Sequence, residues 1–458
     1  MHPFASYVLR SYYKESGWNE DNLYANLTRS SNALLDFSVP RGLHFGISKS
    51  PNPLFKTTYS MNALPSLNGS VGYIFTSCNL DVKGSGDVRF KDMIDRFKVF
   101  DQPRKPEGKA EEWLGGERTD TRDYLLYGRI YIPTGRLDGL YSTRITPTLQ
   151  GMIAAISDPR MPLSSEKSRG PAPGSNVMFS LQHDTGKVCT EYTWSAEDGM
   201  WGVRSLYNFG RVGPHHPDAT ATPPPYSHDD GDRHGHTSAP AGRRKIKRVD
   251  EEDAMDGGLR GRVSIGGEFY FSAKEKSAGV STGIRFTTFP DATPPSFQVP
   301  TSAEAGPSAV RGPPSQPPTT ITALFNPMLG HISAAYAARV SRDFCMASRF
   351  DFNVYSYESE WSLGAEWWQR RGIPRESPSS SQAGNGEDMV QMASSGADLA
   401  DEVQGVVKAK VSTTTDVSLL WEGRLRNILV SLGVVSNLSN RSKPIKSIGL
   451  ELSYFSSG

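Results

Sequence analysis

The chain has 458 residues, a formal net charge of +1 and only 37% hydrophobic residues, with 44 Gly and 32 Pro. Its balanced charge gives no electrostatic reason to expect nucleic acid as a partner. A mean hydropathy of −0.46, with no apolar run of the ~18–20 residues that a membrane helix needs, excludes a helical membrane protein but not a β-barrel, which spans with strands.

The first 40 residues predict a helical unit that differs from the rest of the chain. Tyr7–Glu15 carries apolar residues at helical spacing, and Asn19, followed by two acids, is a suitable helix start. The segment lacks the apolar core of a secretory signal and the Arg-rich, acid-free character of a cleaved presequence. We expect residues 1–40 to form a plug in the lumen of a barrel. Three leucines there fit one helical face: Leu23, Leu27 and Leu34.

From about residue 41 onward the sequence predicts short strands. Most candidates are about ten residues long, close to the ~9–11 that cross a bilayer when tilted. The longest alternation, Leu259 to Lys274, has no charge on its odd face. A two-layer soluble sandwich also alternates, so this pattern alone leaves that fold open. About nineteen strands begin near Arg41, Leu54, Gly69, Asp123, Gly139, Thr148, Ser175, Lys187, Met200, Leu259, Gly279, Thr319, Gly330, Arg342, Glu360, Val403, Asp416, Asn427 and Ser447.

Tryptophan placement is compatible with a barrel. Aromatic belts form at both interfaces of a membrane barrel, although ordinary core packing explains any single Trp as well. Six of the eight Trp fall in strand patterns: Trp194, Trp201, Trp361, Trp367, Trp368 and Trp421. We therefore predict an all-β transmembrane barrel of about 19 strands over residues 41–458, with residues 1–40 as its helical N-terminal segment.

Four polar insertions interrupt the strand patterns. They are rich in charged residues, Pro, Gly or Ser and have too little apolar surface to order themselves. We expect them to be long disordered loops. They cover residues of about 101–121, 213–258, 290–318 and 372–400.

The sequence predicts no catalytic, cofactor or metal site, and no enzyme. It contains no phosphate-binding loop, no nucleophile elbow and no spaced His-Glu-x-x-His motif. The three Cys are far apart and indicate reduced packing residues rather than a disulfide framework. One His- and Asp-rich cluster contains metal-ligating residue types but lacks a fixed tetrahedral spacing: His215, His216, His228, Asp229, Asp230, His234 and His236.

The last strand pattern, Ser447–Phe455, has an apolar face and a small or polar face. Its spacing of polar, any, Gly, any, any, apolar, any, apolar resembles the β-signal that the mitochondrial sorting and assembly machinery reads. The residues that carry this spacing are Ser447, Gly449, Leu452 and Tyr454.

Longer stretches resemble the fungal family of mitochondrial distribution and morphology protein 10. The resemblance covers the chain apart from its low-complexity loops. The stretches are Tyr7–Arg10, Gly17–Tyr24, Ala33–Phe37, Val39–Leu43, Lys274–Ser277, Gly283–Phe286 and Ser447–Phe455. The resemblance implies a nineteen-stranded barrel, related to the voltage-dependent anion channel and the preprotein-import pore, in the mitochondrial outer membrane.

The resemblance also implies an anchoring role at ER–mitochondria contact sites. The expected partners are the lipid-transfer and ER-anchored subunits of the ER–mitochondria encounter structure, the sorting and assembly machinery, a small subunit of the import translocase that competes for the barrel, and membrane lipids. Phospholipid exchange, mitochondrial morphology and inheritance, and assembly of the import pore and other barrels would depend on it. The alternatives are an anion-channel-type porin and a soluble all-β scaffold.

Two aromatic pairs on apolar strand faces are candidate partner contacts. Tyr73 and Phe75 lie two residues apart on one predicted strand, as do Phe269 and Phe271 on another. Each pair suits lateral packing against a second barrel or a single helix. Simple lipid contact explains each pair equally well.

Overall fold

The computed structural model describes most of the chain. The described residues are 3–80, 82–100, 123–159, 175–209, 261–288, 317–370, 403–414, 416–439 and 444–457, with the backbone of 113–114 and 117–118. Apart from those four positions and residues 317–318, the predicted loops 101–121, 213–258, 290–318 and 372–400 lie outside this part. The prediction that these loops are disordered therefore concerns residues outside the described part of the chain.

Nineteen strands form one continuous sheet, and the short strands β4 and β5 pair only with each other. The strands are β1 (Gly42–Ser50), β2 (Phe55–Leu64), β3 (Asn68–Thr76), β4 (Trp113–Leu114), β5 (Glu117–Arg118), β6 (Tyr124–Ile132), β7 (Leu137–Thr146), β8 (Leu149–Ser157), β9 (Asn176–Asp184), β10 (Val188–Ser195), β11 (Met200–Asn208), β12 (Gly261–Ser272), β13 (Ser277–Thr288), β14 (Thr319–Asn326), β15 (His331–Ser341), β16 (Phe344–Asn353), β17 (Ser359–Arg370), β18 (Val403–Ser412), β19 (Asp416–Leu425), β20 (Ile428–Asn437) and β21 (Ile445–Ser457).

The sheet closes into a barrel by a parallel pairing of its first and last strands. β1 lies beside β21 in register from Gly42↔Gly449 to Ser50↔Ser457, whereas every other neighbouring pair in the barrel is antiparallel. An odd number of strands that alternate in direction requires one parallel pair at closure. The predicted fold class is confirmed, and each predicted strand start lies within two residues of the observed one.

The two faces of the wall differ as the alternation predicts. On β12, Ile265, Phe269 and Phe271 are exposed on the outer face, while Ser264 and Glu268 point to the lumen. Lipid can cover the apolar outer face, while polar groups line the lumen. Because the sheet is closed, it has no exposed edge strand. Among the described residues, no helix is long and apolar enough to cross a membrane.

Tryptophan is divided between the two faces. Trp368 faces inward, where it is 8% exposed and donates its indole N–H to Glu366. The other five strand Trp face outward, as belts of interfacial aromatics do. They are Trp194, Trp201, Trp361, Trp367 and Trp421.

Strand order places the longest connections at one end of the barrel. Because successive strands reverse direction, connections that follow odd-numbered barrel strands share a rim. The ninth, eleventh and fifteenth barrel strands precede residues 210–260, 289–316 and 371–402, and the third precedes residues 77–122, after which β6 begins. All four departures therefore lie at one rim, together with the end of β21. We call it the loop rim, and the opposite end the turn rim.

Candidate functional site

Residues 3–41, the N-terminal luminal segment, lie inside the barrel. The helix α1 (Pro3–Ser16) buries apolar side chains against inward-facing residues of the wall, such as Ile74 and Leu125. Phe4 packs on Phe455 with ring centroids 4.9 Å apart. Burying an aromatic or large aliphatic side chain stabilises by about 1.5–3 kcal/mol, so the helix is held mainly by apolar contact.

Short turns bend this segment along the curved wall. Gly17 ends α1 with φ +69°, and the Asn19 side chain accepts a hydrogen bond of 3.1 Å from the backbone N–H of Asp21. Two single 3₁₀ turns and α2 (Arg29–Leu35) follow. The predicted single helical face is wrong, because the chain must curve with the barrel. Its three residues are nevertheless all buried: Leu23, Leu27 and Leu34.

The N-terminal luminal segment follows the inner wall through a complete circuit. It starts at the closing strands, passes the middle of the sheet and returns to β21 just before β1 begins. The contacts in order are Phe4 with Phe455 of β21, Asn22 with Asp184 of β9, Tyr24 with Ser281 of β13, Asp36 with Arg349 of β16 and Pro40 with Gly449 of β21.

Residues 77–80 and 82–100, the second luminal segment, also lie inside the barrel, which the sequence did not lead us to predict. Ser85 donates to the Phe455 carbonyl oxygen at 3.2 Å. Beyond it, α3 (Phe90–Met93) packs beside Trp368, and Phe97 packs beside α2. The one available signal was the apolar spacing of Phe90, Ile94, Phe97 and Phe100, which fits no strand.

Charged side chains join the two luminal segments. Lys98 Nζ lies 2.9 Å from Asp21 Oδ2, and Arg10 pairs with Asp95. Between the segments is a cavity of about 800 Å³, which these charged groups line. The two segments therefore form one luminal layer, cross-linked by ion pairs, rather than two independent plugs.

Burial and neighbouring charge shift two pKa values in this layer. Burial lowers the pKa of Arg29, but the carboxylates of Glu20 and Asp21 outweigh it, so its pKa lies above the ordinary value. Burial, aided by the charge of Glu20, raises the pKa of Tyr13 to about 12. Arg29 is charged and Tyr13 is neutral at neutral pH in any case, and the shifts widen the pH range over which this holds.

The candidate contact residues Tyr73 and Phe75 lie on the outer face of β3. The Tyr73 side chain is 46% exposed, and its ring covers Gly128 of β6, where a Cβ atom would be 2.7 Å from Tyr73 Cζ. Phe75 is partly buried and packs on Tyr124 with ring centroids 6.0 Å apart. The surface available to a partner at this site is therefore mainly that of Tyr73.

The second candidate pair lies elsewhere on the wall. Phe269 and Phe271 are 51% and 44% exposed on β12, near the turn rim, and Phe271 is opposite Trp201. Six barrel strands, β6 to β11, separate β12 from β3, and Phe75 is near the loop rim. The two pairs cannot belong to one contact surface.

The β-signal residues alternate across the closing strand. Leu452 and Tyr454 face outward, with Phe45 and Ile47 beside them on β1. Ser447 and Gly449 face inward, and Gly449 directly contacts the backbone of the N-terminal luminal segment. Gly449 therefore has a packing role in the closed barrel that is independent of any recognition during assembly.

The described residues show no metal-type cluster of three or more His, Cys, Asp or Glu. The His-rich stretch weighed as a metal site, residues 215–236, lies outside them. Cys78, Cys189 and Cys345 are buried, and none of them forms a disulfide. Cys78 belongs to the second luminal segment, whereas Cys189 and Cys345 lie on strands.

The fold and its lumen define a membrane β-barrel with an odd strand number and an occupied interior. The family model described as mitochondrial distribution and morphology protein 10 matches residues 1–398 and 376–457. Proteins of that name from Postia placenta and Laccaria bicolor are 72% and 67% identical over the full length of both chains, and that of Phaeosphaeria nodorum is 36% identical over the full length. The chain belongs to the mitochondrial distribution and morphology protein 10 family, which is not an enzyme family by name or by fold.

Proposed function

We propose that this chain is a non-enzymatic anchor in the mitochondrial outer membrane with two sets of partners. It holds the lipid-transfer subunits of the ER–mitochondria encounter structure and, through them, the ER-anchored subunit. It also acts as an accessory subunit of the sorting and assembly machinery. Phospholipid exchange, mitochondrial morphology and inheritance, and late assembly of the import pore would depend on these contacts.

The observation that carries this proposal is the occupied lumen. The N-terminal and second luminal segments cover inward-facing wall residues from β3 round to β21, and ion pairs join the two segments. In a barrel whose lumen is occupied, the outer face and the two rims remain available for binding. Both are surfaces for binding other proteins and lipids, as an anchor requires.

The outer aromatic pair Tyr73 and Phe75 supplies the lateral contact in this proposal. Tyr73 presents an amphipathic ring, and Phe75 is fixed beside it by Tyr124. Aromatic side chains dominate contact energies because they bury a large area at low conformational cost. We expect Tyr73 and Phe75 to contact a membrane-embedded partner, such as the small subunit of the import translocase or the assembly machinery.

A matched pair of double variants tests this contact. Tyr73→Ala with Phe75→Ala is compared with Phe269→Ala with Phe271→Ala, which also removes two outer aromatic rings, on a strand that six others separate from β3. Both proteins are purified from solubilised mitochondria, and co-purified subunits are identified on native gels and by mass spectrometry. The first variant should insert normally and lose one partner set, while the second retains both sets. Retention of every partner by the first variant would overturn the assigned contact.

The alternative function is that of an anion-channel-type porin. No observation on the described residues favours it, and the luminal layer occupies the space in which ions would move. Single-channel recording of the reconstituted full chain tests it directly. We expect conductance far below that of an open barrel of this strand number; a large, stable conductance would support the porin.

A further inference from the structure

Near the loop rim, the inner face of the wall contains a buried guanidinium with an unused donor. Arg285 on β13 is 4% exposed, and its Nη1 group has no hydrogen-bond partner among the described residues. The hydroxyl groups of Thr287 and Thr320, 7% and 1% exposed, likewise find no partner in the described part of the chain. Buried polar groups without a hydrogen-bond partner lower stability, so we expect a bound ligand to pair with them.

These three groups belong to one patch of the wall. Thr287 is two residues from Arg285 and shares its face, and Thr320 lies directly opposite Thr287 on β14. Opposed residues have Cβ atoms about 4.5–5.5 Å apart. Arg262 on β12 is opposite Thr287 on the other side. Arg262, Arg285 and Thr287 therefore lie together on the inner faces of β12 and β13, with Thr320 beside Thr287 on β14.

A small cavity lies at this patch. Arg262, Arg285 and Thr287 line it, and the Phe100 ring covers Arg285 with the guanidinium carbon 4.4 Å from the ring centroid. The cavity measures about 10 Å³, which is space for one water-sized particle. A polyatomic anion such as phosphate is too large for it.

The charge around the cavity is positive. Of the residues that line it, Asp21 is the carboxylate, and its oxygens are bound by Arg29 at 3.0 Å and by Lys98 at 2.9 Å. A guanidinium can only donate hydrogen bonds, and a hydroxyl can donate as well. The fitting guest accepts from all of them and carries negative charge.

We infer that this cavity binds a single monatomic anion of the halide class. The anion would accept from Arg285 Nη1 and from the Thr287 hydroxyl, the two unpaired groups whose residues line the cavity. It would also hold the luminal layer to the wall, because Asn22 and Phe100 line the same cavity from the N-terminal and the second luminal segments. Halide binding is therefore expected to stabilise the assembled barrel.

The test is thermal unfolding of the full chain purified in detergent. Melting temperatures are measured in sodium chloride, sodium bromide and sodium phosphate against sodium gluconate at equal ionic strength. Chloride and bromide should raise the melting temperature by on the order of 2 °C for each tenfold rise in concentration above the dissociation constant. Phosphate should behave as gluconate does.

Two variants and one control assign the effect to this cavity. Arg285→Gln should abolish the halide dependence. Arg204→Gln, which removes an inward arginine already paired with Glu191 and Glu268, should retain it. If Arg285→Gln does not assemble, Thr287→Val takes its place and should weaken the dependence several-fold. Equal melting in chloride and gluconate, an unchanged halide dependence in the variants, or stabilisation by phosphate alone would each overturn the inference.

Discussion

Gly449 of the closing strand contacts Pro40 of the N-terminal luminal segment so closely that a Cβ atom on Gly449 would lie 2.1 Å from the Pro40 carbonyl oxygen. On β20, the paired residue Gly433 meets the same segment, where a Cβ would be 2.3 Å from Val39 Cγ1. The two glycines thus form a gap in the side-chain layer through which the luminal segment passes into β1. Gly449 has a structural reason to be glycine, whether or not a machine reads it.

Gly449→Ala and Gly433→Ala are expected to destabilise the assembled barrel in the same way. Overpacking of this kind typically costs about 1–3 kcal/mol. The loss should be larger at Gly449, because it meets backbone, whereas Gly433 meets the end of a side chain. The loss of stability is measured as the heat resistance of the imported protein in detergent. Gly433 lies outside the signal spacing, so normal assembly of Gly433→Ala beside complete failure of Gly449→Ala would favour recognition over packing.

Leu452 provides a cleaner test of the β-signal than Gly449. Leu452→Ala is expected to slow assembly of the imported precursor, because the signal spacing requires an apolar residue there. Leu450→Ala is the matched control, since Leu450 shares the outer face of β21 but falls outside the spacing. Import of labelled precursor followed by native gels gives the readout. Equal assembly rates for the two variants would show that the spacing is not read at this residue.

The strand positions were predictable, whereas the contents of the lumen were only partly so. Apolar and polar residues alternate along the strands because outward-facing residues contact lipid and inward-facing residues face the lumen. Inside, however, Ile74, Leu125 and Phe455 are apolar, because they pack against α1 rather than against water. The residues of the second luminal segment escaped prediction for the same reason. Their apolar side chains are buried by segments that are distant in sequence. A local hydrophobic periodicity cannot reveal such contacts.

Phe97→Ala is expected to loosen the second luminal segment without opening the barrel. Phe97 is 1% exposed and packs on Leu34 and Leu35 of α2, and truncating a buried Phe costs about 3–5 kcal/mol. Hydrogen exchange of residues 82–100 should become much faster, while that of the strands changes little. Phe350→Ala, on the outer face at 48% exposure, is the control and should leave this exchange unchanged. Unaltered exchange in Phe97→Ala would contradict the luminal packing.

The luminal helix should weaken at alkaline pH. The pKa of Tyr13 is raised by burial to about 12, from an ordinary value near 10. A tyrosine that resists ionisation in the folded state contributes stability that is complete below about pH 10 and is lost as pH rises towards 12. Melting temperatures of the full chain in detergent should fall across this range, and less steeply in Tyr13→Phe. The outward-facing Tyr192→Phe is the control, and an identical slope in all three proteins would refute the assignment.

The ion pair between Asp36 and Arg349 is expected to hold the end of α2 to the wall. Both oxygens of Asp36 accept from the guanidinium, at 2.6 and 3.0 Å, in a geometry that is stronger than a single contact. Asp36→Asn should cost about 1–3 kcal/mol locally, because charge-assisted hydrogen bonds are lost while Arg349 keeps its pairing with Asp351. The readout is proteolytic susceptibility of residues 29–41 in the full chain. Asp92→Asn, which breaks a pair whose Arg89 side chain is 77% exposed, should change susceptibility little, since exposed pairs contribute ~0–1 kcal/mol. Equal protection of Asp36→Asn and the unmodified chain would mean that apolar burial alone fixes this end of the segment.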